Sequence, residues 1–430
     1  MALTWRTPAL LLLAVVLVLL RPEASTVWWI VLAVALLVLA DWWLAPRAQR
    51  LEVSRVPTPP TRLGEPAETA LRVRNTGTRL VRGILRDAWQ PSAGAAPNRH
   101  PLRLPADERV RLVTPLLPTR RGDLVTDRVT VRLTGPLGLA ARQQSLVVPG
   151  TVRVTPAFPS RRHLPSRLAR LRELDGRAAI RVRGQGTEFD SLREYVRGDD
   201  VRSIDWRASA RSRHVVVRTW QPERDRRVVL VLDTSRTSAG RIGEVPRLDS
   251  AMDAALLLAA LASRAGDRVD FLAGDRVVRA RVRSGHRTDA LAVIQDAMVG
   301  LNAELVEADW RRLVGAVDGL GRGRALVVLL TPLEPAAIEH GLLAVVGHLS
   351  SRHKVVLASV RDPELSRLAA DRSTLPATYQ AAAAEQTIAR REQTGRLLGA
   401  LGIDVLDAGA DDLPVALADH YLSLKARGLL

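Results

Sequence analysis

Residues 227–237 read RVVLVLDTSRT, and this stretch decides the fold of the C-terminal half of the chain. Its apolar run, Val228–Leu232, has no polar residue at alternate positions, so it predicts a strand that is buried on both faces. From there to Leu430, short apolar runs alternate with segments whose apolar residues recur at helical spacing. This alternation predicts an α/β domain over residues 227–430, with a doubly wound, mostly parallel sheet and helices on both faces.

The other elements of this domain follow from the same two patterns. The later strands are predicted at Val269–Leu272, Val277–Val282, Ala325–Leu330, Val355–Val360 and Ile403–Leu406. The helices are predicted at Asp249–Arg264, Asp289–Gly300, Asp309–Leu320 and Thr378–Leu398, with a closing helix after the last strand. In sheets of this kind, ligands bind at the carboxyl ends of the strands, near the point where the strand order reverses.

Polar side chains stand at such a carboxyl end, directly after the first strand. Asp233, Ser235 and Thr237 offer one carboxylate and two hydroxyls in a short loop. Hard oxygen ligands of this kind suit Mg²⁺, with water and a partner's carboxylate completing an octahedral shell. The alternative is a strand-to-helix turn, in which the same three side chains only hydrogen-bond to nearby backbone amides.

The first 46 residues contain two apolar runs, Thr7–Leu20 and Ala24–Ala40. Tryptophan pairs flank the second run at a spacing of 14 residues, which is roughly 21 Å along a helix and suits the two interfaces of a bilayer. We therefore predict a two-helix transmembrane hairpin over residues 1–46. A cleaved signal peptide and a buried soluble hairpin are the alternatives. Arginines beyond both outer ends place the termini and the large domains on the cytoplasmic side of the cell membrane.

Residues 51–156 show period-two alternation of apolar residues with arginine or threonine. Leu71–Arg74, Val110–Leu112 and Val129–Leu133 carry this pattern, and glycine-containing turns separate them. Short strands at this spacing predict a β-sandwich-like domain. Its arginines are either the solvated side of the strands or a positive face turned toward anionic lipid.

The charge of the chain is uneven along its length. The 63 Lys+Arg and 45 Asp+Glu residues give +18, of which residues 1–50 contribute +2, 51–160 +9, 161–226 +7 and 227–430 zero. A basic, membrane-proximal half fits anionic lipid better than nucleic acid, and aromatic residues for base stacking make up only 3% of the chain. The absence of cysteine excludes disulfides and cysteine-ligated metals, and no Gly-rich lysine loop or zinc-protease motif occurs.

Residues 160–226 form a segment in which both charge signs are interleaved, without the periodicity of a long helix or strand. Almost every carboxylate has an arginine within four residues, so we predict a loop-rich, domain-bridging network of bidentate ion pairs. Such pairs keep carboxylate pKa values low, which leaves a hydrolase that uses these groups as the less favoured alternative. The candidate interaction residues are Glu188, Asp190, Arg193, Tyr195, Gly198, Asp199, Asp200, Arg202, Asp205, Trp206 and Arg211.

This segment resembles the signature of the domain-of-unknown-function 58 family. The likeness lies in GTEFD at 186–190, LREY at 192–195, GDDVR at 198–202 and IDW at 204–206, and upstream in GPLGL at 135–139. The resemblance implies a membrane-tethered bacterial protein that ends in a von Willebrand factor A-like domain. It also implies a MoxR-type AAA+ ATPase as a partner.

The Asp233-x-Ser235-x-Thr237 loop resembles the metal-ion-dependent adhesion motif of von Willebrand factor A domains, with Thr237 in place of the second serine. The resemblance makes Thr288 the threonine of the second loop. After the fourth strand the chain lacks the expected aspartate, and Glu334 comes two residues late. Together these features predict a non-enzymatic interaction module that helps to assemble or mature other proteins. A hydrolase, or binding of nucleic acid or another anionic polymer, is the alternative.

Overall fold

The computed structural model describes residues 2–430 apart from 182–187, 198, 213, 222–225, 284–288 and 322, and in 175–181, 188–191 and 219–221 it describes the backbone only. The chain divides into two compact units, Met1–Thr155 and Pro156–Leu430. Each unit has a hydrophobic core of its own.

The first unit contains two helices and two β-sheets. The helices are α1 (Arg6–Leu20) and α2 (Ala24–Leu44). The strands are β1 (Ala2–Leu3), β2 (Leu51–Val56), β3 (Thr61–Arg62), β4 (Ala67–Asn75), β5 (Val81–Asp87), β6 (Arg99–Leu104), β7 (Arg109–Leu116), β8 (Gly122–Thr134) and β9 (Ala140–Thr155). One sheet has the order β2-β4-β7, and the other has the order β1-β9-β8-β5-β6 with β3 beside β9.

The two sheets pack through the apolar residues at alternate positions of their strands. Leu71 and Val73 of the smaller sheet share one buried cluster with Leu85, Val131 and Leu133 of the larger sheet, and all five are fully buried. Burial of each such side chain contributes about 1.5–3 kcal/mol to folding. The arginines and threonines between them point outward, so the sandwich predicted from this alternation is present.

The two N-terminal helices are apolar on all sides. Helix α2 lies in a segment, Ala24–Arg50, that is long and apolar enough to cross a membrane, and only 17% of its most apolar window is buried. Helix α1 has 15 residues and is shorter than a full span. Trp28, Trp29 and Trp43 are each at least 70% exposed. One apolar helix near the N-terminus is thus compatible with a membrane anchor, and the two-pass hairpin stays a prediction.

A buried carboxylate joins the end of α2 to the turn between β8 and β9. Asp41, which is fully buried, accepts hydrogen bonds from the backbone N–H groups of Leu137 (2.7 Å), Leu139 (2.7 Å) and Ala140 (2.8 Å). The turn also approaches the start of α1, because the Thr7 hydroxyl donates to the carbonyl of Leu139 at 2.7 Å. The GPLGL turn therefore fixes both helices to the longest hairpin of the sandwich.

The second unit contains most of the helical residues. Its helices are α3 (Leu164–Arg181), α4 (Trp206–Ser209), α5 (Arg247–Arg264), α6 (Ala290–Met298), α7 (Trp310–Asp318), α8 (Pro335–Ala337), α9 (Leu343–Arg352), α10 (Pro363–Ala370), α11 (Leu375–Ala400) and α12 (Leu413–Ala426). Its strands are β10 (Glu188–Glu194), β11 (Val216–Gln221), β12 (Arg227–Asp233), β13 (Arg241–Ile242), β14 (Val245–Pro246), β15 (Arg268–Gly274), β16 (Val278–Val282), β17 (Leu326–Leu330), β18 (Lys354–Val360) and β19 (Ile403–Ala408).

Six of these strands form one sheet in the order β16-β15-β12-β17-β18-β19. Counted along the chain this is the order 3-2-1-4-5-6 of a doubly wound fold, and only β16 is antiparallel. The central strand β12 sends Leu230 into a core with α5 and α12, and its neighbour Val231 into a second core with α7 and α9. Both residues are fully buried, as predicted for the apolar run at 228–232.

The prediction that residues 160–226 are loop-rich is wrong for residues 164–181, which form the helix α3. Leu164, Leu168, Leu171 and Leu174 recur at helical spacing and pack against the core around α5. The arginines between them hide this periodicity in the sequence. The later part of the segment forms a separate two-stranded antiparallel sheet from β10 and β11.

Candidate functional site

Asp233 ends the central strand β12 and lies at the carboxyl edge of the sheet, almost fully buried. Its Oδ1 accepts a 2.8 Å hydrogen bond from the backbone N–H of Ser235, as a strand-to-helix turn requires. Its Oδ2 accepts from the Thr237 hydroxyl at 3.1 Å, and the hydroxyls of Ser235 and Thr237 lie 3.0 Å apart. The structure therefore brings the carboxylate and both hydroxyls of the loop into one group of oxygens.

The fourth side chain in this group is Thr331, which was not among the predicted ligands. Its hydroxyl donates to Asp233 Oδ2 at 2.7 Å, and the residue is buried. Thr331 directly follows β17, the parallel neighbour of β12, and the pairing of Leu232 with Leu330 sets residues 233 and 331 side by side. The sequence contained this information, because Thr331 ends the fourth predicted strand in the place where the adhesion motif has an aspartate.

Glu334 does not join the oxygen group, because arginines hold it elsewhere. Its carboxylate lies 3.3 Å from the guanidinium of Arg247 and 3.5 Å from that of Arg391. Arg391 is itself buried and donates to the carbonyl of Leu333 (3.0 Å) and to Asp407 (2.9 Å). Glu334, which follows the fourth strand two residues later than the expected aspartate, is thus part of a structural ion pair.

The oxygen group fits Mg²⁺ in donor chemistry and spacing. Neighbouring ligands of an octahedral magnesium ion are about 2.9 Å apart when the Mg–O distance is about 2.0–2.1 Å. The measured separations of 3.0 Å between Ser235 and Thr237 and 3.1 Å between Thr237 and Asp233 match this value. The negative charge of the group is low for a divalent cation, because Asp233 is its single carboxylate. Burial also raises the pKa of Asp233, which disfavours the charged form.

Two further observations limit the site to this set of oxygens. Within the described part of the chain, no cluster of three or more His, Cys, Asp or Glu side chains is arranged to hold a metal ion. Thr288, the predicted threonine of the second loop, lies outside the described residues. Within the described residues, Asp233 is thus the one carboxylate in direct contact with the loop hydroxyls of Ser235 and Thr237.

The signature segment is organised by two arginine–carboxylate pairs. Arg193 donates to both oxygens of Asp199, at 2.8 and 2.6 Å, and this is the bidentate geometry predicted for the segment. Asp205 accepts from Arg218 at 2.8 Å and from the backbone N–H of Ala208 at 3.0 Å. These contacts hold the loop between β10 and β11 in a defined conformation.

The same contacts decide what the carboxylates can do chemically. Hydrogen bonds from Arg193 hold the pKa of Asp199 below its usual range, and the backbone N–H of Ala208 together with Arg218 does the same for the pKa of Asp205. A general acid needs a pKa near the working pH, so neither group suits proton donation. Asp200 accepts from the backbone N–H of Arg202 at 2.9 Å and acts as a helix cap.

Other candidate residues of the segment are less well defined. Glu188 and Asp190 lie on β10, where the backbone alone is described, and Gly198 lies outside the described residues. Among the residues that are described, no hydrogen bond or ion pair joins the signature loop to the oxygen group at Asp233. The two candidate sites are therefore separate features of the second unit.

Large apolar side chains project from the signature loop into solvent. Trp206 is 68% exposed, Val196 and Val201 are each 61% exposed, and Tyr195 is 37% exposed. Four exposed arginines are neighbours of these residues in the sequence, and within the described residues they have no carboxylate partner: Arg197, Arg202, Arg207 and Arg211. An exposed aromatic and aliphatic patch with a cationic rim is typical of an interaction surface.

Residues 191–382 match the model of the family described as "Protein of unknown function DUF58". The resemblance predicted from the sequence is confirmed over these residues. The match begins inside β10, includes the signature loop and the Asp233 oxygen group, and ends inside α11. Both candidate sites thus lie in the DUF58 part of the chain.

The curated relatives that match the chain include mycobacterial proteins. "Uncharacterized protein Rv1480" of Mycobacterium tuberculosis (strain ATCC 25618 / H37Rv) is 28% identical over 190 residues, as is "Uncharacterized protein Mb1516" of Mycobacterium bovis. The aligned part covers 42% of this chain and 57% of each relative, so the chain spans little more than half of their length.

Two solved structures are similar to somewhat less than half of the chain. The SpRpn10 VWA domain is 8% identical with a TM-score of 0.27, and 45% of this chain and 94% of that domain are covered. The conserved hypothetical protein BatB from Bacteroides thetaiotaomicron is 13% identical with a TM-score of 0.30, covering 47% and 99%. At such scores the 3-2-1-4-5-6 strand order, rather than these neighbours, defines the fold of the unit.

Proposed function

We propose that the protein is a non-enzymatic, membrane-tethered interaction module with a von Willebrand factor A-like domain, which works with a MoxR-type AAA+ ATPase in the assembly or maturation of other proteins. The exposed patch of the signature loop is the observation that carries this proposal. The acidic groups of the loop are occupied by structural pairs, whereas Trp206, Val196 and Val201 are left in solvent. This division of roles suits protein binding better than acid–base catalysis.

The oxygen group at Asp233 supplies a second contact point in this proposal. Asp233, Ser235, Thr237 and Thr331 would hold Mg²⁺, and the ion would supply a Lewis-acidic position for a partner's carboxylate. The single carboxylate of the group leaves the bound ion with excess positive charge, which favours an acidic side chain from outside. The apolar helix α2 is the proposed tether, with the large units on the cytoplasmic side.

The partner is tested by chemical crosslinking in native membranes that contain the full chain, followed by mass spectrometry. We expect an AAA+ ATPase among the crosslinked proteins, with a yield that falls at least about tenfold for Trp206→Ala, because a central aromatic residue contributes about 2 kcal/mol or more to an interface. Tyr379→Ala is the matched control, since Tyr379 is an equally exposed aromatic (71%) on α11. Recovery of no ATPase from these membranes would contradict the proposed partner.

The metal is tested by titration calorimetry of the full chain in detergent with Mg²⁺ and Mn²⁺. Ser235→Ala should abolish binding, whereas Thr234→Val should preserve it. Thr234 is in the same loop, but its hydroxyl donates to Asp275 at 2.8 Å and not to the oxygen group. Equal binding by both variants would show that the metal lies elsewhere, and no binding by the unmodified chain would leave only the turn interpretation.

A further inference from the structure

One face of the larger sheet in the first unit is lined with arginines at registered positions. On β5 and β6, Arg82 stands directly opposite Arg103, and Arg86 stands directly opposite Arg99. All four side chains are exposed, and they alternate with buried residues such as Leu85, so they project from the same outer face. Ile84 lies between the two pairs and is 46% exposed.

This arrangement is unfavourable for an isolated sandwich. Like charges directly opposite each other across two antiparallel strands destabilise the pairing. Within the described residues none of the four arginines has an ion-pair partner, and the carboxylate nearest in sequence, Asp87, points into the core and pairs with Arg55 at 2.7 Å. An anionic surface that covers this face would neutralise the four unpaired cations and relieve their mutual repulsion.

The pair Arg82–Arg103 lies level with the segment just before the start of α1. The Thr134 hydroxyl donates to the carbonyl of Arg82, Thr134 pairs with Ala141, and Ala141 pairs with Ala2 on β1. These contacts form one row across the sheet, which ends four residues before α1 begins.

A neighbouring arginine, Arg132, stands opposite Ile84 between the two pairs, but its guanidinium reaches toward the start of α1. Arg132 donates from its guanidinium to the carbonyl of Leu3 at 2.6 Å, and Trp5, which is 76% exposed, comes two residues later. Arg86 and Arg99 lie four residues further along their strands, which is about 13 Å from the first pair. The face therefore has two rows of arginine side chains. The row near the helix ends consists of Arg82, Arg103 and Arg132, and the row away from them consists of Arg86 and Arg99.

We propose that the row formed by Arg82, Arg103 and Arg132 binds the phosphates of anionic lipid headgroups and holds the sandwich against the membrane surface. The inference rests on the proposed tether, because α1 and α2 bring this row to the level where a bilayer would begin. Guanidinium groups bind phosphate oxygens in a bidentate manner, and each basic residue near an anionic bilayer strengthens attachment about fivefold. The row at Arg86 and Arg99 is too far from the helix ends to contribute equally.

The absence of cysteine from the chain allows a direct test. Ile84→Cys, in the middle of the arginine face, is labelled with a fluorophore in the full chain, which is reconstituted into nanodiscs that contain a headgroup-nitroxide lipid as quencher. The nanodiscs consist of phosphatidylcholine with or without phosphatidylglycerol. Ser54→Cys, exposed on β2 of the opposite sheet, is the control position.

We expect at least about twofold stronger quenching at position 84 in the phosphatidylglycerol discs, with no change at position 54. The double variant Arg82→Gln/Arg103→Gln should remove the difference, and raised salt should weaken it in the unmodified chain. The matched double variant Arg86→Gln/Arg99→Gln should keep most of it. In non-ionic detergent, Arg82→Gln/Arg103→Gln should be at least as stable against unfolding as the unmodified chain, because it removes a like-charge pair.

Equal quenching in both lipids would overturn the inference, and so would equal effects of the two double variants, since a soluble polyanion would engage both rows. Loss of the lipid effect on adding an oligonucleotide would likewise assign the face to nucleic acid. Extraction of the chain from native membranes by alkaline carbonate tests the tether separately. A chain that resists extraction but shows no lipid preference would refute the arginine row and leave the proposed function standing.

Discussion

The hydroxyl of Thr331 donates a 2.7 Å hydrogen bond to Oδ2 of Asp233, and this contact joins the ends of two neighbouring parallel strands at the carboxyl edge of the sheet. Both residues are buried, and the bond offsets part of the cost of keeping a carboxylate away from water. A threonine thus takes the place of a second acidic group. The result is an oxygen group that is stable in the free chain and carries less negative charge than two carboxylates would provide.

Thr331→Val should destabilise the second unit by about 1–3 kcal/mol. The substitution removes the hydroxyl that donates a hydrogen bond to Oδ2 of the buried Asp233. Thr331→Ser keeps the hydroxyl and should cost less. Urea denaturation of the full chain in detergent, followed by tryptophan fluorescence of the second unit, measures both values. Equal stability of the Val and Ser variants would show that the hydrogen bond contributes nothing.

Asp41→Asn should loosen the turn at residues 135–140. The carboxylate accepts from three backbone N–H groups, and the asparagine amide would point a donor at some of them. We expect a loss of about 1–3 kcal/mol of local stability. Hydrogen exchange of the peptide that contains residues 135–140 should become roughly ten- to hundredfold faster.

Gly135→Ala is a second route to the same turn. A Cβ at this position would lie 2.3 Å from the carboxylate oxygen of Asp41, which real side chains do not tolerate. The variant should therefore accelerate exchange in the same peptide as Asp41→Asn. If either variant left the exchange rates unchanged, the carboxylate would not be the element that holds the turn.

Arg391→Leu should destabilise the second unit by about 3–5 kcal/mol, since removing one member of a buried charge pair leaves its partners uncompensated. Asp407 and Glu334 would both lose a cation, and the carbonyl of Leu333 would lose a donor. Arg391→Lys keeps the charge but not the forked geometry of the guanidinium. Its stability should therefore lie between those of the unmodified chain and Arg391→Leu. Chemical denaturation distinguishes the three proteins, and an Arg391→Leu variant of unchanged stability would contradict the assignment.

Asp253→Asn should change the pH dependence of stability. Burial raises the pKa of Asp253, although the hydroxyl of Ser160 donates to it at 2.8 Å. A raised folded pKa means that the stability contribution is complete below the unfolded pKa of about 3.9 and is lost as the pH rises through the folded value. The asparagine variant should therefore gain stability relative to the unmodified chain as the pH rises above about 4. A difference that does not vary with pH would refute this.

The positions of the main strands in the α/β unit followed from the sequence because buried parallel strands are uninterrupted apolar runs. Val228–Leu232 and Ala325–Leu330 are of this kind, and the observed strands agree with them within two residues. The amphipathic helix α3 was missed because arginines occupy the positions between its leucines. Short helices such as α9 and α10 were missed as well, since eight to ten residues give too few turns for a clear period.

The candidate site was accessible from the sequence only in part. Asp233, Ser235 and Thr237 lie within five residues, so their proximity follows from the length of the loop. Thr331 is 98 residues away from Asp233, and its approach depends on which strands are neighbours in the sheet. The bond between Arg391 and Asp407 likewise depends on how α11 packs over β19, which no local pattern encodes.

The junction at Asp41 also has a mechanical meaning. Three N–H groups converge on one side chain, so a pull on the sandwich would load these hydrogen bonds together and not one after another. Such a junction breaks only when all three hydrogen bonds to Asp41 break. The end of α2 and the β8–β9 hairpin would then transmit force as one rigid element, from the sandwich into the apolar helices.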